Sequence, residues 1–475
     1  MDHGVWPAHT TLLYVDQTGD VEFVLKPREY FRDPHLLRTR RGKVYRGSVF
    51  EHLLIQHLTA FFNVGEHNVC RLEGADWNDG LDMAPHRGES VAFSAFYAWN
   101  LKRLAEFAET LRRRGIKSVR LAEEVGLLLD RLPGQRRLNY RSPTAKRACL
   151  QRYLHAVSHD LSGRMISVRL EELRADLLAK YEDTASRIRE QEWIRTAGGG
   201  FFNGYYDNDG KRVEGPHRLG MRMTLTGQVF PIMSGIATDH QVDRAIASVI
   251  RFLRDRRWGG LRLNTDFKEV QPALGRAFSF AYGEKENGAI FSHMAVMYAC
   301  ALYARRRTQE ARKVWQALYH LATTPSVAKI FPCLPEYFNA EGRGMYGYLT
   351  GSASWLIAML LTQVYGIRGE LGDLVIDPQL TREDFGTRRT LAVNAPFANR
   401  AFRFTFMNPQ RLDAGHYAVG RIVNERTGSE MPCVRRAGGG IRIARRHLAR
   451  LPTHPATFFT IALNRGHKQI DPLPK

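Results

Sequence analysis

From Val91 onward, the apolar residues Val91, Ala95, Ala98, Leu101, Ala105 and Ala108 recur at steps of three and four. That is the period of a helix with one buried face. Glu89 and Ser90 open it, and Gly115 stops it after Arg112 to Arg114, a basic last turn that suits the helix dipole. The same reading predicts helices over 48–63, 117–132, 144–157, 166–193, 240–256, 288–305, 308–322 and 352–365. Glycine-rich, aromatic loops lie between them, at 198–206, 259–267, 278–288 and 331–348. Long loops in a compact domain are more often functional than idle. Many helices alternating with such loops predict a helical toroid or solenoid, and no short repeat of the solenoid kind is present.

The pattern changes after Gly372. LVIDPQL, TLAVNA, AFRFTFM, YAVGRIVN, GIRIAR and TFFTIAL are short, partly alternating and rich in β-branched and aromatic residues. Asn408-Pro409, Gly415 and Gly438 to Gly440 punctuate them. This predicts a β domain, a small sandwich, over 373–475 behind a mainly helical domain over 1–372.

Composition narrows the class. In 475 residues, 44% hydrophobic and 25% charged, there is room for more than one core, and disorder or rods are excluded. No window approaches about 18 uninterrupted apolar residues, so no membrane span is expected. MDHGVWPAHTT lacks a basic-then-apolar leader, so no secretory signal is expected. Cys70, Cys149, Cys300, Cys333 and Cys433 are odd in number and form no CxxC pair. A disulfide framework or cysteine-rich zinc site is therefore not expected, and a reducing cytoplasm is. The net charge of +21 stands out. It is scattered over short arginine clusters such as Arg136-Arg137 and Arg305 to Arg307, which reads as solvated surface rather than a nucleic-acid or membrane face. Such charge also attracts small anions.

Four segments carry dense chemistry. Gly74 to Asp82 holds Asp76, Asp79, Asp82 and Trp77 between glycines. Rings stack on sugars and carboxylates hold hydroxyls or protonate a leaving oxygen; an Asx-rich turn explains the same residues. Tyr282 to Gly288 carries Lys285, with His293 early in the helix that follows. A satisfied core histidine and an anion or sugar site both fit. Thr350 and Gly351 directly precede a predicted helix. Free backbone N–H groups there make an anion site, while ordinary N-capping explains the residue types equally. In the Pro335–Phe338 segment, Glu336 reads as a structural hydrogen-bonder.

Together, GADWNDGLDM, RGESVAF, GEKENGAIFSH and YLTGSASW, in this order, resemble the inverting β-glucan phosphorylases of the cellobiose phosphorylase family, glycoside hydrolase family 94. LLYVDQTGDVEF, GLRLNTDF and GDLVIDPQL extend the resemblance over nearly the whole chain. It implies an (α/α)6 toroid followed by a small β domain. It implies Asp79 as general acid, and Trp77 and Lys285 at the sugar, with Asp2 as an acidic residue of the donor subsite. His293, Thr350 and Gly351 would form the phosphate pocket. Phosphate would be the co-substrate of a β-linked gluco-oligosaccharide, with no other cofactor and no metal. One carboxylate plus an anion pocket suffices for a phosphorylase, because phosphate is already anionic; an inverting hydrolase needs a second carboxylate as base, for which Asp76 or Asp82 would serve.

Relatives of that family are much longer at the front, where an arginine of the active site lies. The resemblance therefore also implies a partial toroid, and little or no phosphorylase activity from this chain alone. The partner expected is a second copy of the chain or a separate polypeptide carrying the front half. A hydrolase on the same toroid and a non-catalytic carbohydrate-binding protein are the rival readings.

Overall fold

A computed structural model of the chain describes residues 1–32, 35–330, 333–347, 351–453 and 455–466. It is mainly helical, with small sheets. The helix Val91–Arg113 follows the predicted stripe closely. Ser90 caps it by accepting the Phe93 N–H at 3.1 Å, and Val91, Ala95, Ala98, Leu101, Ala105 and Ala108 are all buried. Other residues of its first four turns are buried as well, so it is a core helix rather than a surface one. It packs against Leu170–Gln191, Thr226–Met233 and Val49–Phe62.

The expected helix over 117–132 is not formed. Ser118–Ala122 is a strand and Glu123–Leu128 a 3-10 turn. Val119 and Leu121 are buried and alternate with exposed Ser118 and Arg120, a period of two. The partner strand, Met165–Arg169, takes the front of the expected helix over 166–193. Cross-strand pairs Val119 with Val168 and Leu121 with Ile166 favour the ladder. The carboxylate of buried Glu51 accepts the Ala122 N–H at 2.8 Å and fixes the strand's end. The helix Val5–Thr18 lies outside the predicted set; its sequence lacks a clean apolar stripe.

The chain divides into two compact units. The first comprises Met1–Thr11, Val21–Ala301 and Val314–Ala353, and the second Leu12–Asp20, Leu302–Lys313 and Ser354–Lys475. In the second, one four-stranded sheet runs in the order Ile367–Glu370, Asp373–Ile376, Ile441–Ile443, Val434–Arg435. The other runs Thr390–Phe397, Arg400–Met407, Thr457–Arg465, Tyr417–Asn424. Phe402, Phe404, Phe406, Phe459 and Ile461 alternate inward and are buried. Tyr417 accepts the Leu380 N–H at 2.8 Å and lies 3.1 Å from the Pro378 carbonyl, tying the second sheet to the segment after Asp373–Ile376. Among the described residues, no helix is long and apolar enough to cross a membrane.

Candidate active site

Every described residue singled out as a candidate lies in the first unit. Its scaffold is a three-stranded sheet in the order Tyr205–Tyr206, Glu89–Ser90, Cys70–Arg71. Side chains alternate across a strand, so register partners Tyr205 and Ser90 share one face and Tyr206 and Glu89 the other. On the second face His67 bonds Glu89 at 2.5 Å and stacks on Tyr206 with ring centroids 3.6 Å apart. The first face holds the loop 74–82.

That loop is built from two successive Asx turns. Asp76 Oδ1 accepts the Asn78 N–H at 2.9 Å, and Asn78 Oδ1 accepts the Gly80 N–H at 3.1 Å. Asp76 Oδ2 accepts the Ser90 hydroxyl at 2.8 Å, and the Tyr205 hydroxyl approaches Oδ1 at 3.4 Å. Burial pushes the Asp76 carboxyl up to about 6, although the donors from Asn78, Ser90 and Tyr205 hold it down; the charge of Asp2 adds to the rise. Asp82 accepts the Arg276 N–H at 3.1 Å and pairs with its guanidinium at 3.5 Å. Asp79, between them, is exposed. Among the described residues its carboxylate accepts no hydrogen bond. Two of the three carboxylates are thus committed to holding the loop, and one is presented outward.

Trp77 packs edge-on against His293, with centroids 5.2 Å apart and planes at 82°, and against Phe291 at 5.6 Å. His293 is the second residue of the helix Ser292–Ala304, behind the strand Ile290–Phe291 that pairs with Tyr337–Phe338. Burial lowers its pKa to about 4, so the imidazole is neutral at pH 7 and offers one N–H. Gly351 starts the helix Gly351–Met359 directly against this ring. A Cβ on Gly351 would lie 2.4 Å from His293 Cε1, so only glycine lets the helix N-terminus approach. Thr350 lies outside the described residues.

Lys285 sits at the tip of a closed loop, with φ of 45°. A side chain in that region is strained, and such strain gathers at functional sites. The loop is held by Gly283 N–H to the Asn287 carbonyl at 2.7 Å and by Asn264, which accepts the Gly288 N–H at 2.9 Å and donates to Asn287 Oδ1 at 3.2 Å. Lys285 Nζ lies 4.8 Å from the Tyr346 ring centre and 5.6 Å from that of Phe280. A hydrogen bond with Tyr346 raises its pKa. Asn78 and Glu286 line one small cavity with Tyr205, Thr226 and Asn264, which joins this loop to the first.

Asp2 is only 8% exposed and accepts the Trp6 indole N–H at 2.8 Å. It lies close enough to Asp76 for their charges to interact. Folding therefore brings the first residues of the chain to the loop around Asp79. Sequence reasoning did not single out Tyr205 or Asn264. The glycine-aromatic run at 198–206 and the GLRLNTDF motif were their signals, but neither marks which side chain turns inward.

The chain matches the description "Glycosyl hydrolase 94 superfamily, catalytic domain" over residues 1–126 and 165–366. It is 22% identical over 434 residues to 3-O-β-D-glucopyranosyl-β-D-glucuronide phosphorylase of Paenibacillus borealis, covering 88% of this chain and 46% of that protein. It is 24% identical over 414 residues to the cyclic β-(1,2)-glucan synthase NdvB of Rhizobium meliloti (strain 1021), covering 83% and 12%. Solabiose phosphorylase of Paenibacillus borealis is 23% identical over 379 residues, covering 77% and 40%. The chain spans less than half the length of these curated relatives. By a match that takes in both candidate loops and the helix beginning at Gly351, the chain belongs to the glycosyl hydrolase 94 superfamily.

Proposed function

We propose that the protein is an inverting glycoside phosphorylase acting on a β-linked gluco-oligosaccharide. Asp79, protonated, gives its proton to the glycosidic oxygen as the C1–O bond breaks. Phosphate, held by His293, Thr350 and Gly351, attacks C1 from the opposite face and leaves as α-glucose 1-phosphate. Trp77 and Lys285 line the sugar site, with Asp2 toward the donor sugar.

The observation that carries this reading is the convergence of Trp77, His293 and Gly351 beside a loop with one outward carboxylate. A helix N-terminus and a neutral N–H donor suit a phosphate dianion without a fixed cation. The hydrolase alternative needs a second carboxylate poised over water. Asp76 is buried on three donors and Asp82 is tied to Arg276, so neither favours it.

The partial (α/α)6 toroid, the C-terminal sandwich and the division at residue 372 belong to the same proposal, supported by the membership in the family. A cytoplasmic setting is supported by five cysteines that are all free. The test is product formation from β-1,2-, β-1,3- and β-1,4-linked gluco-oligosaccharides with and without phosphate. Phosphate-dependent release of α-glucose 1-phosphate is expected when the front half is supplied as a separate polypeptide, with little or none from this chain alone. Glucose release that ignores phosphate would establish the hydrolase instead. Saccharide binding with no turnover under any condition would favour the carbohydrate-binding reading.

A further inference from the structure

We propose that Asp76 is a positioning residue of this site: the two Asx turns that begin at its carboxylate set where Asp79 meets the sugar. The proposal rests on the reading of Asp79 as the general acid.

The geometry is a short chain of dependence. Asp76 fixes the backbone at Asn78, and Asn78 fixes it at Gly80; Asp79 stands between them. The Gly80 carbonyl then accepts the Ala277 N–H at 3.0 Å, so the far end of the turn is anchored as well. Asp79 itself is held by no hydrogen bond to its carboxylate among the described residues. Its direction is set by these two turns.

The charge on Asp76 matters to the arrangement. Three groups hydrogen-bond it, each as a donor: the Asn78 N–H and the Tyr205 hydroxyl at Oδ1, and the Ser90 hydroxyl at Oδ2. The Ser90 oxygen is already engaged as acceptor of the Phe93 N–H. A proton on Oδ2, or the NH2 of an amide, would set donor against donor until Ser90 turned. The titratable groups facing Asp76 are Asp2 and Tyr205, with Glu214 next along, accepting the Tyr205 backbone N–H at 3.3 Å. None is a cation. The carboxyl, raised by burial to about 6, therefore titrates in a range where an enzyme is assayed.

Two measurements test this: exchange on the chain itself, and turnover on the chain supplied with the polypeptide that carries the front half. Hydrogen exchange of a peptide spanning residues 74–82 should quicken in Asp76→Asn and more in Asp76→Ala, and match wild type in Asp79→Asn. Turnover against pH should show an acid limb near pH 6 in wild type that Asp76→Asn lacks. In that variant kcat should fall about tenfold to a hundredfold, as a misplaced acid does, with the phosphate KM within about twofold. Tyr205→Phe removes one hydrogen bond to the charged form and should move the limb to higher pH. A purely structural role would lower stability and leave the limb where it was. Wild-type exchange at 74–82 in Asp76→Asn overturns the proposal, as does an unchanged acid limb in that variant. Undiminished turnover in Asp79→Asn is a different failure: it overturns the general-acid reading and this proposal with it.

Discussion

Of the places where the first unit buries carboxylates, two do so by opposite means. At the first, Lys180 reaches Asp130 at 2.9 Å, the Tyr140 hydroxyl at 3.2 Å and Asp176, all of them buried. Burial works against ionisation of Asp130, yet Lys180 and the Tyr140 hydroxyl outweigh it and hold the carboxyl below its usual range. At the second, Asp76 meets only neutral donors and a second carboxylate nearby, and settles at about 6. The cation holds Asp130 ionised, although deeper burial still raises Asp176 beside it, whereas neutral donors leave Asp76 open to titration. Ion pairing here serves the fold, and the unpaired arrangement serves the candidate chemistry.

The contrast breaks most sharply at the outward carboxylate. In the active assembly with the front half, Asp79→Asn should keep the fold and sugar affinity and lower turnover about 10²–10⁴-fold on an unactivated oligosaccharide. A leaving group that needs no proton should suffer less, and comparing the two substrates checks the role. Lys180→Met removes the cation from the other cluster and leaves two carboxylates buried. It should cost about 3–5 kcal/mol in denaturant unfolding. A loss under about 1 kcal/mol would mean that the cluster is not what holds those carboxylates in the core.

The pH behaviour of His293 gives the next effect. Its folded pKa is about 4 against an ordinary 6.5, so below pH 6.5 the unfolded chain binds a proton that the native chain refuses. Stability tied to this group is full above pH 6.5 and falls as pH drops toward 4, by about 3 kcal/mol in all. His293→Phe should flatten the stability profile by that amount over the same window. Asp76 acts with the reverse sign, since its raised pKa makes the native chain bind the extra proton below pH 6. Asp76→Asn should therefore steepen the fall. Smallest is Gly351→Ala. Its Cβ would press on the His293 ring, an overpacking worth about 1–3 kcal/mol, and should raise the phosphate requirement more than the sugar requirement. Equal rises in both would remove Gly351 from the phosphate pocket.

Much of the site's inventory was legible as motif. Glycine, carboxylate and tryptophan in one short loop, and glycine-bounded Lys285 in another, were visible before any fold. What hid the rest is that a motif does not say which of its polar groups turns inward. Asp76, Asp79 and Asp82 look equivalent along the chain, and only the approach of Ser90, Tyr205 and Arg276 separates them. The same blindness produced the false helix at 117–132. Its residues allow either period locally, and the strand 165–169, more than forty residues on, decided for two.

By itself the sequence determined the helices whose stripe and caps agree, such as Val91–Arg113, and the strands after residue 372 whose alternation is uninterrupted. These are local properties, fixed by the period of the side chains and by which backbone groups a cap can satisfy. The tertiary structure alone decided that Asp2 stands beside a loop some seventy residues later, and that His293 meets both Trp77 and the start of the helix at Gly351. It also decided that a carboxylate three residues from the candidate acid is titratable near neutrality. Charge, burial and close packing at a point depend on everything that folds up to that point, and no neighbour in sequence carries that information.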